Sequence, residues 1–285
     1  MVTTIKAYAK INLALNVYDK LDNGYHNIDM VTIPLELHDT LELDKLPKDY
    51  ETYITSNDMD LPTDQSNLSS IAFNKFKDKI HFSQNYLIHI YKRIPMRAGL
   101  GGGSADAAAV INGVIKSLKL QVKDEDLIEI AKSIGGDVSF CLYNKPTRCR
   151  GIGEKLEFIN MKKQYHVLLV KPLEGVSTKN CYDDFDLLEP KPEKSNIERL
   201  IQGLEEGNDQ IVKEEMKNVL QPCAINLVPK IKEIIDTLKN DGFDMVMMSG
   251  SGSTVFALSN NQKDLMKEMK KFNSDNYITI RTKTL

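Results

Sequence analysis

The sequence predicts an α+β protein of two domains, and three observations carry that expectation. Its 285 residues exceed the roughly 100–200 of one ordinary domain. Apolar residues make up 41% and charged residues 27%, enough for a sizeable core and unlike disordered or collagenous chains. Strand-like and helix-like stretches interleave without a long strand–helix–strand rhythm, which favours α+β over a doubly wound sheet.

The elements follow in order. Over residues 5–17, Ile5, Ala7, Ala9, Ile11, Leu13, Leu15 and Val17 fall on one face, with Lys6, Tyr8, Lys10, Asn12 and Asn16 on the other. A period of two predicts a half-buried strand with a solvent-facing polar side. Asp22-Asn23-Gly24 marks a turn, and strand patterning resumes from Ile28 to Leu43. Residues 44–66, with Pro47 and Pro62, predict an irregular connection holding at most a short strand. Asn67 to Lys79 predicts a helix, and Leu87 to Tyr91 a strand running into Pro95. Beyond a glycine cluster, Ala107, Ile111, Val114 and Leu118 form a helical stripe; Lys123 to Ile134 repeats it and stops at Gly135-Gly136.

Val138 to Leu142 reads as a short strand and His166 to Val170 as a buried one. The domain boundary is placed just before the latter, dividing 1–160 from 161–285. Glu189 to Lys194 reads as a solvated loop, and Ser195 with Glu198 has capping-box spacing for a helix ending by Gly207. Helices near 209–220 and 228–240 follow, then a strand–glycine turn–strand from Met245 to Leu258, a last helix, and a strand from Tyr277 to Ile280.

Net charge is −3, so no electrostatic footprint for nucleic acid is present. No apolar run approaches the ~20 residues of a membrane helix, and the first residues lack a signal pattern. Cys141, Cys149, Cys181 and Cys223 form no C-x-x-C pair, which argues against zinc or a disulfide framework. A cytoplasmic protein acting on small molecules is expected, with neither nucleic acid nor membrane as partner.

The strongest chemical signal runs from Pro95 through Met96, Arg97, Ala98, Gly99, Leu100, Gly101, Gly102, Gly103, Ser104 and Ala105, joining a strand end to a helix start. Glycines let backbone N–H groups approach a ligand, and a helix N-terminus adds partial positive charge, together a phosphate cradle. No lysine follows as a Walker loop requires, and Ser104 stands where a dinucleotide motif has its third glycine. Weaker signals are Lys10 and Asn12, together on one strand face; Asp137 directly after Gly135-Gly136; and Ser249 to Thr254 between two apolar strands.

Taken together and in this order, A-K-I-N-L, P-x-x-x-G-L-G-G-G-S, G-G-D and S-G-S-G-S-T resemble the GHMP small-molecule kinase superfamily, from end to end of the chain. Gly24-Tyr25-His26, Arg150 to Leu156 (RGIGEKL) and Gly175-Val176-Ser177-Thr178 resemble the branch whose acceptor is a cytidine-diphosphate-linked polyol. The resemblance implies a two-domain fold with its active site in the groove between domains, and ATP with Mg²⁺. The glycine loop would hold the nucleotide phosphates, with Ser104 near the magnesium-bridged oxygens and no dedicated protein metal site. Asp137 would be general base and Lys10 would stabilise the attacking oxygen. Asn12, Tyr25 and His26 would meet the cytidine substrate, Tyr182 (or Phe185) would cover the base from the other side, and Asn67 would lie near the adenine.

Two departures, at Leu21-Asp22-Asn23 and at Asn218-Val219-Leu220-Gln221, bear on substrate affinity more than on reaction type. Competing expectations are a homoserine- or mevalonate-type kinase of the same superfamily, or a catalytically silent ligand-binding relative.

Overall fold

Two long antiparallel strands, β1 (Thr3–Lys20) and β2 (His26–Lys45), form the spine of the protein, in a computed structural model that describes residues 2–272 and 274–285. The turn between them is the expected one, with Gly24 at φ +82°. The β1 polar side is not the solvent-facing surface that alternation predicts, because Lys10, Asn12 and Asn16 are all buried. Its apolar side is also divided. Register shifts between Tyr8 and Lys10 and between Asn12 and Ala14 mark bulges. Ala7, Leu15 and Val17 therefore enter one apolar core, whereas Ala9, Ile11 and Leu13 enter another. Each bulge inserts an unpaired residue and re-aims those that follow, which strict alternation cannot anticipate.

After β2 come β3 (Tyr53–Ser56), α1 (Leu68–Ile80), β4 (Tyr86–Tyr91), α2 (Gly102–Leu118), α3 (Asp124–Ile134), α4 (Val138–Tyr143), β5 (Thr147–Gly151) and β6 (Lys155–Phe158). Strand order in the first sheet is β3-β4-β2-β1, with the β5–β6 hairpin added along β2. The segment Val138–Tyr143 is helix α4, not the predicted strand. A short apolar run fits either state, and here it packs against α2 and α3 with Cys141 N–H donating to Asp137 O.

The remainder comprises β7 (His166–Pro172), α5 (Thr178–Leu187), α6 (Ile197–Glu206), α7 (Asp209–Glu215), β8 (Lys217–Asn218), α8 (Gln221–Leu227), α9 (Lys230–Asn240), β9 (Met245–Met248), β10 (Val255–Ser259), α10 (Gln262–Met269) and β11 (Tyr277–Lys283). The second sheet has the order β11-β7-β10-β9. The predicted helix over 209–220 ends at Glu215, because Lys217 and Asn218 pair in parallel with Ala14 and Leu15 of β1. Sequence patterning missed α5, whose polar run buries only Cys181 and Phe185, and the β5–β6 hairpin. At α6 the cap is Asn196, accepting from Arg199 N–H, rather than Ser195, whose backbone is held by the Asn16 amide.

The second core cluster joins the sheets: Ile11, Leu13, Ile33 and Leu35 pack with Val167, Leu169, Phe256 and Leu258. The chain end seals the joint, with Leu285 N–H donating to Pro34 O and Thr284 bridging to Leu35. This leaves a groove between the central part of β1, the start of α2 and the β9–β10 turn.

Candidate active site

A cleft of about 1520 Å³ occupies that groove. The glycine loop forms its floor. Arg97, Gly99 and Gly101 all take positive φ (51°, 72° and 71°), coiling the backbone into the N-terminus of α2. Gly101 is the cap, and Ala105 N–H donates to its carbonyl at 2.8 Å. The N–H groups of the first helical turn, at Gly102, Gly103 and Ser104, precede that bond and carry the positive end of a 17-residue helix. Residues 95–104 all line the cleft. Ala105, expected with them, is 2% exposed and turned into the core.

The C-terminal half fastens this loop from above. Ser249 Oγ donates to Gly99 O at 2.9 Å, and Thr254 N–H donates to Ala98 O at 3.3 Å. A side chain at Gly99 would meet Ser249 O at 2.1 Å, so the two backbones touch only because this residue is glycine. Asn218 donates its amide to both Met248 O and Gly250 O, while Gln221 accepts from Met248 N–H. Asn218 and Gln221 thus hold the entry to the 249–254 turn, and the glutamine at 221 supplies the acceptor needed there.

Lys10 and Asp137 meet on the cleft wall, with Nζ 3.3 Å from Oδ2. Lys10 also donates to Asn12 Oδ1 at 2.8 Å, and its backbone N–H donates to Leu100 O. Asn12 lines the cleft, but its amide nitrogen donates to Thr32 Oγ1 and Met30 Sδ. These bonds let Asn12 orient Lys10 against β2, while the residue itself lines the cleft.

Asp137 keeps a 27% exposed side chain at the start of α4. Its backbone is fixed by the β5–β6 turn: a Cβ at Gly153 would lie 2.3 Å from Gly136 O, and one at Gly136 would lie 2.6 Å from Ile152 O. Glu154 closes that turn by accepting from Ile152 N–H and Lys132. Beneath this pair, burial pushes the thiols of Cys141 and Cys149 well up, so they are inert fillers.

A buried ion triad stands behind the loop. Lys92 Nζ donates to Asp39 Oδ2 at 2.5 Å and to Asp106 Oδ2 at 2.7 Å, while Asp39 Oδ1 accepts from Arg93 and Ile94 N–H. Burial works against the Lys92 charge, but Asp106 and Asp39 outweigh it and hold its pKa above the usual lysine value. Burial pushes the Asp106 carboxyl up to about 7; Lys92 offsets part of that and Asp39 adds to it. Sequence reading did not single out Lys92 or Asp106; the signal available was an acidic residue inside an otherwise apolar helix turn.

The far end is aromatic. Tyr25 is 55% exposed, and His26, 7% exposed, lies against the Tyr182 ring with centroids 5.1 Å apart. All three line the cleft. Phe185, the alternative to Tyr182, is buried in the core. Asn67 does not line the cleft: its side chain accepts from Ser69 N–H, donates to Pro62 O and caps α1, leaving Leu61 and Leu68 as the wall there.

Among the described residues, no group of three or more His, Cys, Asp or Glu could hold a metal, and no helix is long and apolar enough to cross a membrane.

Two family models match the chain: GHMP kinases N terminal domain over residues 67–145 and GHMP kinases C terminal over 195–276. A 4-diphosphocytidyl-2-C-methyl-D-erythritol kinase of Caldicellulosiruptor bescii is 38% identical over 263 residues, covering 92% of this chain and 91% of that one. One from Bacillus pumilus is 40% identical over 89% and 86% of the two chains. A solved 4-(cytidine 5'-diphospho)-2C-methyl-D-erythritol kinase superposes with a TM-score of 0.81 at 25% identity, covering 99% of this chain and 98% of that one.

Proposed function

This chain belongs to the GHMP kinase family, and from that premise we propose that it transfers the γ-phosphoryl group of ATP to the 2-hydroxyl of 4-diphosphocytidyl-2-C-methyl-D-erythritol, as an enzyme of isoprenoid precursor synthesis. The 37–40% identity to kinases of that name over most of the chain supports the substrate. The observation that carries the chemistry is the Lys10–Asp137 pair on the wall of the cleft whose floor is the glycine loop.

Phosphoryl transfer asks a protein for positioning and charge compensation more than covalent chemistry. Asp137 accepts the proton of the substrate hydroxyl, and the Lys10 ammonium, steered by Asn12, offsets charge developing on that oxygen. The N–H groups at the start of α2 hold the transferred phosphate in line. Magnesium supplies further neutralisation of the phosphate oxygens when bound. The absence of side chains at Gly101, Gly102 and Gly103, beside the Ser104 hydroxyl, leaves room for an ion that would arrive with the nucleotide.

Tyr25 and Tyr182 give the cytosine two aromatic walls beside His26, and the apolar Leu61 and Leu68 form the cleft wall assigned to the adenine. The proposed division falls near residue 160, with β8 returning to the first sheet, and the proposed compartment is the cytoplasm.

The test is ATP consumption by the purified protein with the cytidylylated substrate, beside homoserine, mevalonate and a no-acceptor control. Turnover on the cytidylylated alcohol alone is expected; turnover on another alcohol, or none above the control, would defeat the reading.

A further inference from the structure

The base end of the cleft carries a charge cluster that the transfer chemistry does not use. Asp186 Oδ1 lies 2.6 Å from His26 Nε2, and its Oδ2 accepts from Lys20 Nζ at 2.7 Å. The other His26 ring nitrogen makes no hydrogen bond among the described residues. Lys20 ends β1, His26 begins β2, and Asp186 sits in the last turn of α5, so the cluster joins the N-terminal hairpin to a helix of the C-terminal half.

Tyr182 lies four residues before Asp186 on α5, and i and i+4 share a helix face. One face of α5 therefore meets His26 twice, through the Tyr182 ring and through the Asp186 carboxylate. Burial of the carboxylate works against its charge, yet Lys20 and His26 hold Asp186 below the usual carboxylate range. Asp183, also on α5, adds only a long contact to Lys20 at 3.9 Å.

We propose that Asp186 is a positioning residue for the pyrimidine slot: bridging Lys20 and His26, it fixes the His26 ring and sets where Tyr182 stands relative to Tyr25. The inference rests on reading this cleft as a cytidine-diphosphate site. The carboxylate touches no substrate atom; it acts through His26 and through the docking of α5. Without it, His26 and Tyr182 are left with their ring contact and Lys20 with only the long contact to Asp183, and the slot widens.

CDP titrated calorimetrically into the protein tests the slot without turnover, with ATP titration and melting temperature as controls. Asp186→Asn keeps the side-chain shape but removes the charge on both bonds, and should weaken CDP roughly tenfold or more. ATP affinity and melting temperature should hardly move, and KM for the cytidylylated substrate should rise far more than kcat falls. Lys20→Met loosens the carboxylate from the solvent side and should weaken CDP about twofold to fivefold, as suits a half-exposed pair. Unchanged CDP affinity in both variants would overturn the proposal, as would equal losses for CDP and ATP, which would mean a structural role. Wild-type protein that binds CDP without phosphorylating the cytidylylated polyol would defeat the kinase reading while leaving the slot to be judged by these titrations. Wild-type protein that does not bind CDP would overturn the slot itself.

Discussion

Lys10 Nζ stands 3.3 Å from Asp137 Oδ2, joining the middle of the first strand to the start of a helix that sequence patterning reads as a strand. Lys10 is 4% exposed and anchored by Asn12, while the Asp137 side chain still opens to the cleft. A fixed cation beside a reachable carboxylate suits an oxygen that loses a proton as it gains a phosphoryl group.

Asp137→Asn keeps that shape and cannot accept the proton. Turnover should fall by about 10²–10⁴ while both substrates still bind. Lys10→Met should give a loss of the same kind, and the double variant should lose far less than the product of the single losses, because both groups act on one oxygen. Steady-state rates with parallel binding titrations measure this. Near-normal turnover of Asp137→Asn at saturating substrate and magnesium would remove the general-base role.

Gly101→Val attacks the phosphate cradle twice over. The position has φ +71°, and a Cβ there would sit 3.0 Å from Lys10 Cγ. A β-branched residue disfavours that backbone and presses on the lysine. ATP affinity should fall at least ~10-fold, equivalent to ~1.4 kcal/mol, by calorimetry. Full ATP binding in a folded variant would mean that the cradle lies elsewhere.

Much of this was legible in the sequence, and the exceptions share a cause. The glycine loop, the turn at Gly24 and the 249–254 turn depend on local backbone needs, which residue identity states directly; the first strand is legible as a strand, but its bulges and buried polar face are not. Helix α4 depends on packing against α2 and α3, which a five-residue apolar run does not state. Asp137 was found through its Gly-Gly neighbours, but its surroundings were not, because Ile152 and Gly153 reach it through a hairpin whose strands carry no alternation strong enough to read. The Asn12 contact to Lys10 is not legible either, since strand spacing gives proximity but not hydrogen-bond partners. The same holds for Asn67, whose side chain caps α1, a role that residue identity alone does not separate from a ligand contact.

Gly153→Ala tests that hairpin as the support of the base. At φ +119° and with Gly136 O only 2.3 Å from a new Cβ, the turn must move away from the residue before Asp137. kcat should drop by roughly 10-fold or more from misplacement alone, with ATP affinity retained. Loss of ATP binding in parallel would show that the hairpin supports the whole cleft.

Tyr25→Ala removes one aromatic wall from a residue that is 55% exposed and so contributes little to the core. Stacking of a base on an aromatic contributes ~1–3 kcal/mol, so CDP binding should weaken by about that amount while ATP binding holds. Equal weakening of both ligands would assign Tyr25 to the fold.

The last prediction concerns pH and follows from Asp106. Burial pushes this carboxyl up to about 7 from an ordinary value of 3.8, with Lys92 offsetting part of the shift and Asp39 adding to it. Between those values the folded protein holds a proton that the unfolded chain has released. The folded state therefore binds more protons there, and stability from this group falls as pH rises through the window, levelling off above the folded pKa. Asp106→Asn cannot titrate, and it leaves Lys92 paired with Asp39, whose second oxygen is already held by two backbone N–H groups. Whatever the variant loses by weakening the Lys92 contact at low pH, its melting temperature relative to the native protein should climb from about pH 4 to about pH 7 and level off above that. Each ~1 kcal/mol gained corresponds to roughly 2–4 °C for domains of 150–250 residues. Thermal melts of both proteins across that range decide it. A difference that stays flat with pH would mean that Asp106 is ionised throughout, with Lys92 and not burial governing its charge.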